Sequence, residues 1–318
     1  METKELIPKS NFYAKRKTRQ TIFLISLVII PLINFAIFWV YVNFQTILMT
    51  FQRYNPSTDT YEFIWFERYA TIFKEYVLGE VPKNQNMYLN SLRALIINFI
   101  ILPIAFVASY SFYKNIRFEK FYRVLFMFPS IISLVILTMV YRYLFDGQFG
   151  PVANLLEKMT GIETSWLGHD SDHKWGLIYI FCIWAGLGTN VIMLSGAMMR
   201  IPGDITEACL IDGVGFWREA VQFVLPLVMP TIGIYIISIL AAPLAFTMQP
   251  MLIAAEDGTE NKFLTMSWYI YKTVNNPMSG ENEMLSAATV GIVFSLLMMP
   301  FIIGARILVN KFTPEVEF

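Results

Sequence analysis

Cysteine and histidine are almost missing from this chain, with two of each in 318 residues. A disulfide scaffold or a thiolate metal centre needs more than that. Cys182, inside an apolar run, and Cys209, in a polar one, are therefore read as small packing side chains. Charge is scarce as well: only 15% of residues are Asp, Glu, Lys or Arg, and 24 cations against 24 anions leave no net charge. With no basic excess, nothing argues for a nucleic-acid partner. No G-x-x-x-x-G-K-[ST] word occurs, so the chain does not cradle a nucleotide's phosphates by the P-loop route. Both histidines, His169 and His173, fall in one polar loop, H-D-S-D-H, whose side chains could hold zinc but are read as a solvated loop. No catalytic constellation, bound cofactor or metal is expected on this chain.

What the sequence has in abundance is apolar surface, 56% of residues, with aromatics at 16%. Composition of this kind belongs to a membrane protein. Six apolar runs, at about 22–42, 89–112, 121–145, 175–199, 223–250 and 284–309, are each long enough for a helix to cross a bilayer. The expected fold is an all-α membrane protein of six transmembrane helices, with a transmembrane domain over 21–310 and polar tails at 1–20 and 311–318. The first run is longer than the roughly 7–15 residues of a signal-peptide core and is read as an uncleaved anchor. Pro31, Pro103 and Pro129 interrupt their runs, where kinks beside an internal cavity are tolerated. Placing the loops alternately, with the N-terminus inside, puts 14 Lys and Arg on the inner side and eight on the outer, although the outer loops are longer. The positive-inside rule then sets both termini in the cytoplasm of a multi-pass protein in the cell's inner membrane.

One polar insertion breaks this pattern. The loop 200–222 between runs four and five reads R-I-P-G-D-I-T-E-A-C-L-I-D-G-V-G-F-W-R-E-A-V-Q. Pro202 suits a first helical turn, Asp204 and Glu207 complement the helix dipole, and Gly213 with Gly215 stops the helix. Ile205, Ala208, Cys209 and Asp212 fall at i, i+3, i+4 and i+7, a narrow face of mostly small side chains that can enter a partner's groove.

The same residues carry a family resemblance. Glu207, Ala208, Gly213, Leu225 and Pro226 match the pattern E-A-A-x-x-x-G-x9-I-x-L-P of the membrane subunits of binding-protein-dependent ABC importers, with Cys209 and Phe223 as departures. Further words resemble the carbohydrate branch, similar to the maltose and glycerol-phosphate permeases: F-E-R-Y-A-T-I-F (66–73), N-S-L (90–92), F-Y-R-V-L-F-M-F-P (121–129) and D-G-Q-F-G-P-V-A-N-L-L (146–156). The resemblance implies a cytoplasmic coupling helix between spans four and five. Its ATPase-docking residues would be Glu207, Ala208, Cys209, Asp212 and Gly213. It also implies a second, homologous permease subunit, two cytoplasmic ATPase subunits that hold ATP and magnesium, and an extracytoplasmic solute-binding protein. The chain itself would then be no enzyme.

If the solute is a sugar, its path calls for neutral hydrogen-bonding and aromatic side chains. Trp184, Thr189 and Asn190 in span four and Tyr235, Ser238, Thr247 and Gln249 in span five are the candidates, against the plainer reading that each makes a contact between helices. Leu194-Ser195-Gly196-Ala197 is read as a small-residue packing contact. Two other functions stay open on sequence. A secondary transporter or channel would need inverted repeats or ion ligands, and a membrane-embedded enzyme would need catalytic groups at the interface.

Overall fold

A computed structural model of the chain describes residues 9–147, 149–161, 167, 173–254 and 260–312. The described residues form two compact units, divided after Trp65.

The first unit is a long helix followed by a hairpin. Helices α1 (Lys9–Asn34) and α2 (Val42–Thr50) are joined without a break by a widened π turn over Phe35–Tyr41. The apolar, membrane-length part, Arg19–Thr50, has 32 residues. At 1.5 Å per residue that is about 48 Å, longer than the ~30 Å hydrocarbon core of a bilayer. Strands β1 (Gln52–Asn55) and β2 (Thr60–Phe63) then pair antiparallel, with Gln52 opposite Phe63 and Asn55 opposite Thr60. Asn55 organises the turn: its side chain accepts from the Ser57 N–H (3.1 Å) and donates to Glu62 (2.7 Å). Tyr54 stacks on Tyr61 and donates to Asp59 (2.8 Å), which adopts a left-handed φ of 51°. The chain is mostly helical, consistent with an all-α membrane fold, and adds one small hairpin, where alternating aromatics flank a turn-forming N-P-S-T-D run.

The second unit is a helical bundle. After α3 (Glu67–Ile72) come α4 (Pro82–Tyr113), α5 (Glu119–Ile131), α6 (Leu134–Leu144), α7 (Pro151–Thr160) and α8 (Lys174–Met198). The chain continues with α9 (Gly203–Ile211), α10 (Phe216–Glu219), α11 (Leu225–Leu227), α12 (Met229–Ala241), α13 (Met248–Ala254), α14 (Glu260–Phe263), α15 (Met266–Asn275) and α16 (Glu281–Phe312). Counting the first unit's helix, four helices among the described residues are long and apolar enough to cross a membrane, and six spans result only if two bent pairs each count as one. The third expected span is one such pair: α5 and α6 meet at 105° because Ile132 and Ser133 are extended (ψ 143° and 130°). The fifth bends by 77° near Val228, between Pro226 and Pro230, neither of which can donate a helical hydrogen bond. It then tightens to a 3₁₀ turn over Ala242–Ala245 and stops at Phe246 and Thr247.

Helix α8 is the axis of the bundle. Ile178, Phe181, Val191, Leu194 and Met198 are buried along it, packed among α4, α5 and α13. Its approach to α5 is close enough that a Cβ on Gly188 would lie 2.5 Å from the Phe126 carbonyl oxygen, so only glycine fits. The expected small-residue contact at 194–197 is only partly realised. Leu194 and Ser195 are buried, but Gly196 faces open space.

Candidate coupling site and translocation path

Helix α9 is built by purely local chemistry. Pro202 is the N-cap, with an extended ψ of 134°, and Asp204 lies in the first turn. At the other end Gly213 takes a φ of 66°. The Val214 N–H then donates to the Cys209 carbonyl (2.9 Å) and the Gly213 N–H to Leu210 (3.2 Å). This pair of bonds is a Schellman stop, which requires a left-handed residue and therefore favours glycine.

The helix divides its side chains in a way the expected face does not match. Ile205 is half-buried against the core, and Cys209 is only 3% exposed. The Thr206 hydroxyl shares a 2.8 Å hydrogen bond with Tyr113 at the end of α4. Cys209 is therefore turned into its own bundle, away from the docking face it was expected to join. The outward surface holds Asp204, Glu207, Ala208, Asp212 and Gly213. It also holds Leu210 and Ile211, at 77% and 85% exposed, the residues that sequence reasoning passed over. Two adjacent large aliphatic residues in a polar loop were the signal available for them.

Beyond α9, the start of the next helical segment is fixed to α4 by a partly buried ion pair. Lys114 caps α4 and donates to both carboxylate oxygens of Glu219 on α10, at 3.0 and 2.9 Å. The two side chains are 25% and 6% exposed. The Phe216 ring meets Tyr110 at a tilt, with centroids 4.7 Å apart, and the Tyr110 hydroxyl, close to Glu219, is buried without a hydrogen bond of normal geometry. Removing either ionic partner would leave the other as an uncompensated charge in a poorly solvated place. The end of α4 is thus joined to α10 through Lys114 and to α9 through Tyr113.

The expected path residues fall into two groups. Asn190 and Tyr235 come together: the Tyr235 hydroxyl donates to the Asn190 carbonyl at 3.4 Å, while the Asn190 side chain donates to Gly186 of its own helix at 2.7 Å. Trp184 and Thr189 are exposed on α8, and Ser238 donates to Ile234 within α12 at 2.9 Å. Thr247 lies apart from these, at the break in span five. There it lines an open cavity of about 470 Å³ with Leu244, Met248, Ser267, Ile270 and Tyr271. Gln249 is half-buried two residues beyond it. Among the described residues, Tyr235 alone of these seven makes a hydrogen bond between helices by its side chain.

The break itself is stitched by neutral side chains. Thr265 donates to the Phe246 carbonyl (2.6 Å) and Ser267 to Leu244 (2.7 Å). From the start of α4, Asn90 donates to Lys262 and Leu264 (2.9 and 3.1 Å), and Ser91 accepts from the Met266 N–H (2.8 Å). Backbone freed from a helix inside a membrane protein has to be satisfied in this way. His173 precedes α8; His169, Asp170 and Asp172 of the expected zinc alternative lie outside the described residues. Among the described residues no group of three His, Cys, Asp or Glu is placed to hold a metal.

Comparison with known proteins decides the family. Residues 101–317 match the binding-protein-dependent transport system inner membrane component. The chain belongs to that family. It is 24% identical over 286 residues to the arabinooligosaccharides transport system permease AraP of Halalkalibacterium halodurans, covering 88% of this chain and 85% of the relative. It is 25% identical over 237 residues to the multiple sugar-binding transport system permease MsmF of Streptococcus mutans, covering 74% and 79%. Among solved structures, a bacterial ABC transporter involved in the import of the acidic polysaccharide alginate has a chain of TM-score 0.78 at 18% identity, covering 95% of this chain and all of that one. The family is one of inner-membrane transport components, and these curated relatives are transport permeases, not enzymes.

Proposed function

We propose that this chain is the membrane-spanning permease subunit of an ATP-driven importer, moving a carbohydrate or related solute delivered by a binding protein. Its six spans include the two bent pairs, its termini are cytoplasmic, and α9 is the coupling helix that enters a cleft of a cytoplasmic ATPase subunit. A second, homologous permease, two ATPase subunits and an extracytoplasmic binding protein complete the assembly, and ATP with magnesium is held by the ATPases. The observation that carries this reading is the outward side of α9, where Leu210 and Ile211 have no cover from their own chain beside the acid Glu207. Aliphatic side chains so exposed gain when a partner removes them from water.

In the working cycle, ATP-driven closure of the ATPases shifts α9, and the Lys114–Glu219 pair passes the shift to spans two and five. The solute path runs beside Trp184, Thr189, Asn190, Tyr235 and Ser238 and past the break that carries Thr247 and Gln249. Neutral hydroxyl, amide and aromatic groups suit a polyol. The test is the complex reconstituted from this chain with the ATPase, second permease and binding protein encoded beside it. With Gly213→Val or Glu207→Arg, hydrolysis stimulated by the loaded binding protein is expected to fall to the unstimulated level while the variants still insert. Stimulation at the unmodified rate in both would overturn the docking role, and the solute retained by the purified binding protein identifies the cargo.

A further inference from the structure

At the same end of the bundle as α9, the α4–α5 corner holds a feature that the transport reading does not use. An apolar groove of about 580 Å³ opens between the two helices, walled by Ile104, Val107 and Ala108 of α4, Ile116 of the connection, and Tyr122 and Phe126 of α5. The connection that closes one end of it is cationic. Lys114 is committed to Glu219 and Arg123 to Glu119 (2.6 Å). Arg117 and Lys120 are exposed and have no acidic partner among the described residues. The guanidinium of Arg117 lies over the ring of Phe118, 5.2 Å from its centroid. Phe118 and Phe121 are themselves exposed, at 66% and 65%. Exposed aromatics beside uncommitted cations are the side chains that settle at a membrane–water boundary.

We propose that this corner is a binding site for an anionic phospholipid, with one acyl chain in the groove and the phosphate between Arg117 and Lys120. Each half of the site supplies what the other lacks. The groove offers an acyl chain continuous apolar contact but no selectivity, because lipid tails are alike. The two cations offer selectivity for a negative headgroup but little affinity alone, each contributing on the order of a fivefold preference near a membrane surface. Their charge cannot be spent inside the protein, since the neighbouring acids Glu119 and Glu219 are already bonded. A second copy of this chain, or another permease, would have to bring its own anions to satisfy them. The α4 end that receives the lipid also carries Tyr113, which bonds to α9, and Lys114, which bonds to α10, so occupancy bears on the mobility of that segment. This inference does not depend on the solute or on the ATPase.

The experiment uses the full chain in nanodiscs of mixed phosphatidylglycerol and phosphatidylcholine, with spin-labelled forms of each lipid reporting immobilisation. The unmodified chain is expected to hold phosphatidylglycerol about tenfold or more in preference to phosphatidylcholine. The double variant Arg117→Gln/Lys120→Gln should lose that preference, whereas Arg200→Gln, an exposed cation at the same end, should keep it. Ala108→Phe, which fills the groove and leaves the charges in place, should reduce immobilisation of both lipids. As a second measurement that does not rely on that variant folding, dithionite accessibility of a chain-labelled fluorescent phosphatidylglycerol should rise in the double variant. Equal retention of the two lipids by the unmodified chain would overturn the proposal. So would an unchanged preference in the double variant, or cross-linking that finds a protein partner seated in the groove.

Discussion

Two segments at opposite ends of the bundle, the one around α9 and the break after α12, are held by different chemistry. At the α9 end the joints are side chain to side chain: the Lys114–Glu219 ion pair, the Tyr113–Thr206 hydrogen bond and the Tyr110–Phe216 ring contact. At the opposite end Asn90, Ser91, Thr265 and Ser267 bond to main-chain groups at the break in span five and in the segment that returns to α15. Side-chain pairs tie whole helices into a unit while leaving each backbone intact. Bonds to main-chain carbonyls fix a local conformation that has no helix to hold it. The segment around α9 is joined to its neighbours through side chains, and the irregular segment after α12 is held through its main chain.

That contrast can be broken most severely at the ion pair. Lys114→Met leaves the Glu219 carboxylate buried and uncompensated, and the expected loss is about 3 kcal/mol, read as a lower thermal midpoint in lipid nanodiscs. The double variant Lys114→Met/Glu219→Leu should recover most of that stability yet not the coupling of ATP hydrolysis to transport, since packing replaces charge but not the fixed geometry. Recovery of both would mean the pair is only filler. At the opposite end Asn90→Leu removes two hydrogen bonds and leaves the Lys262 and Leu264 carbonyls with one donor fewer each. About 2 kcal/mol of stability should go, with faster amide exchange confined to the segment around 262–266 and hydrolysis still coupled. Exchange spreading to α9 instead would erase the distinction between the ends. The smallest effect on stability belongs to Leu210→Ser/Ile211→Ser, within about 0.5 kcal/mol because both side chains already face solvent. Co-purification of the ATPase with this variant should nevertheless fall sharply, and undiminished co-purification would remove Leu210 and Ile211 from the interface.

Much of this was legible in the sequence wherever the cause is local. The start and stop of α9 follow from Pro202, Asp204 and Gly213, whose backbone preferences act within a few residues, and the helix appears within a residue or two of its expected place. The fourth apolar run, expected over 175–199, forms a helix over Lys174–Met198 for the same reason. The third and fifth runs were legible as apolar but not as bent. Hydropathy measures transfer from water, and Ile132 or Phe246 is as apolar in an extended conformation as in a helix. The hairpin after α2 rests on a turn and two four-residue strands, a signal far shorter than the apolar runs beside it.

By itself the sequence determined the class of the protein, the ends of α8 and α9, and the acidic, glycine-stopped segment between two apolar runs. All of these depend on composition or on interactions a few residues long. Only the tertiary structure decided that Cys209 faces inward while Leu210 and Ile211 face out, and that Lys114 is joined to Glu219 across 105 residues. It alone set the angles at which spans three and five bend. The reason is physical: which side of a helix is covered, and which charge finds a partner, depends on neighbours that arrive from distant parts of the chain, and no local preference encodes them.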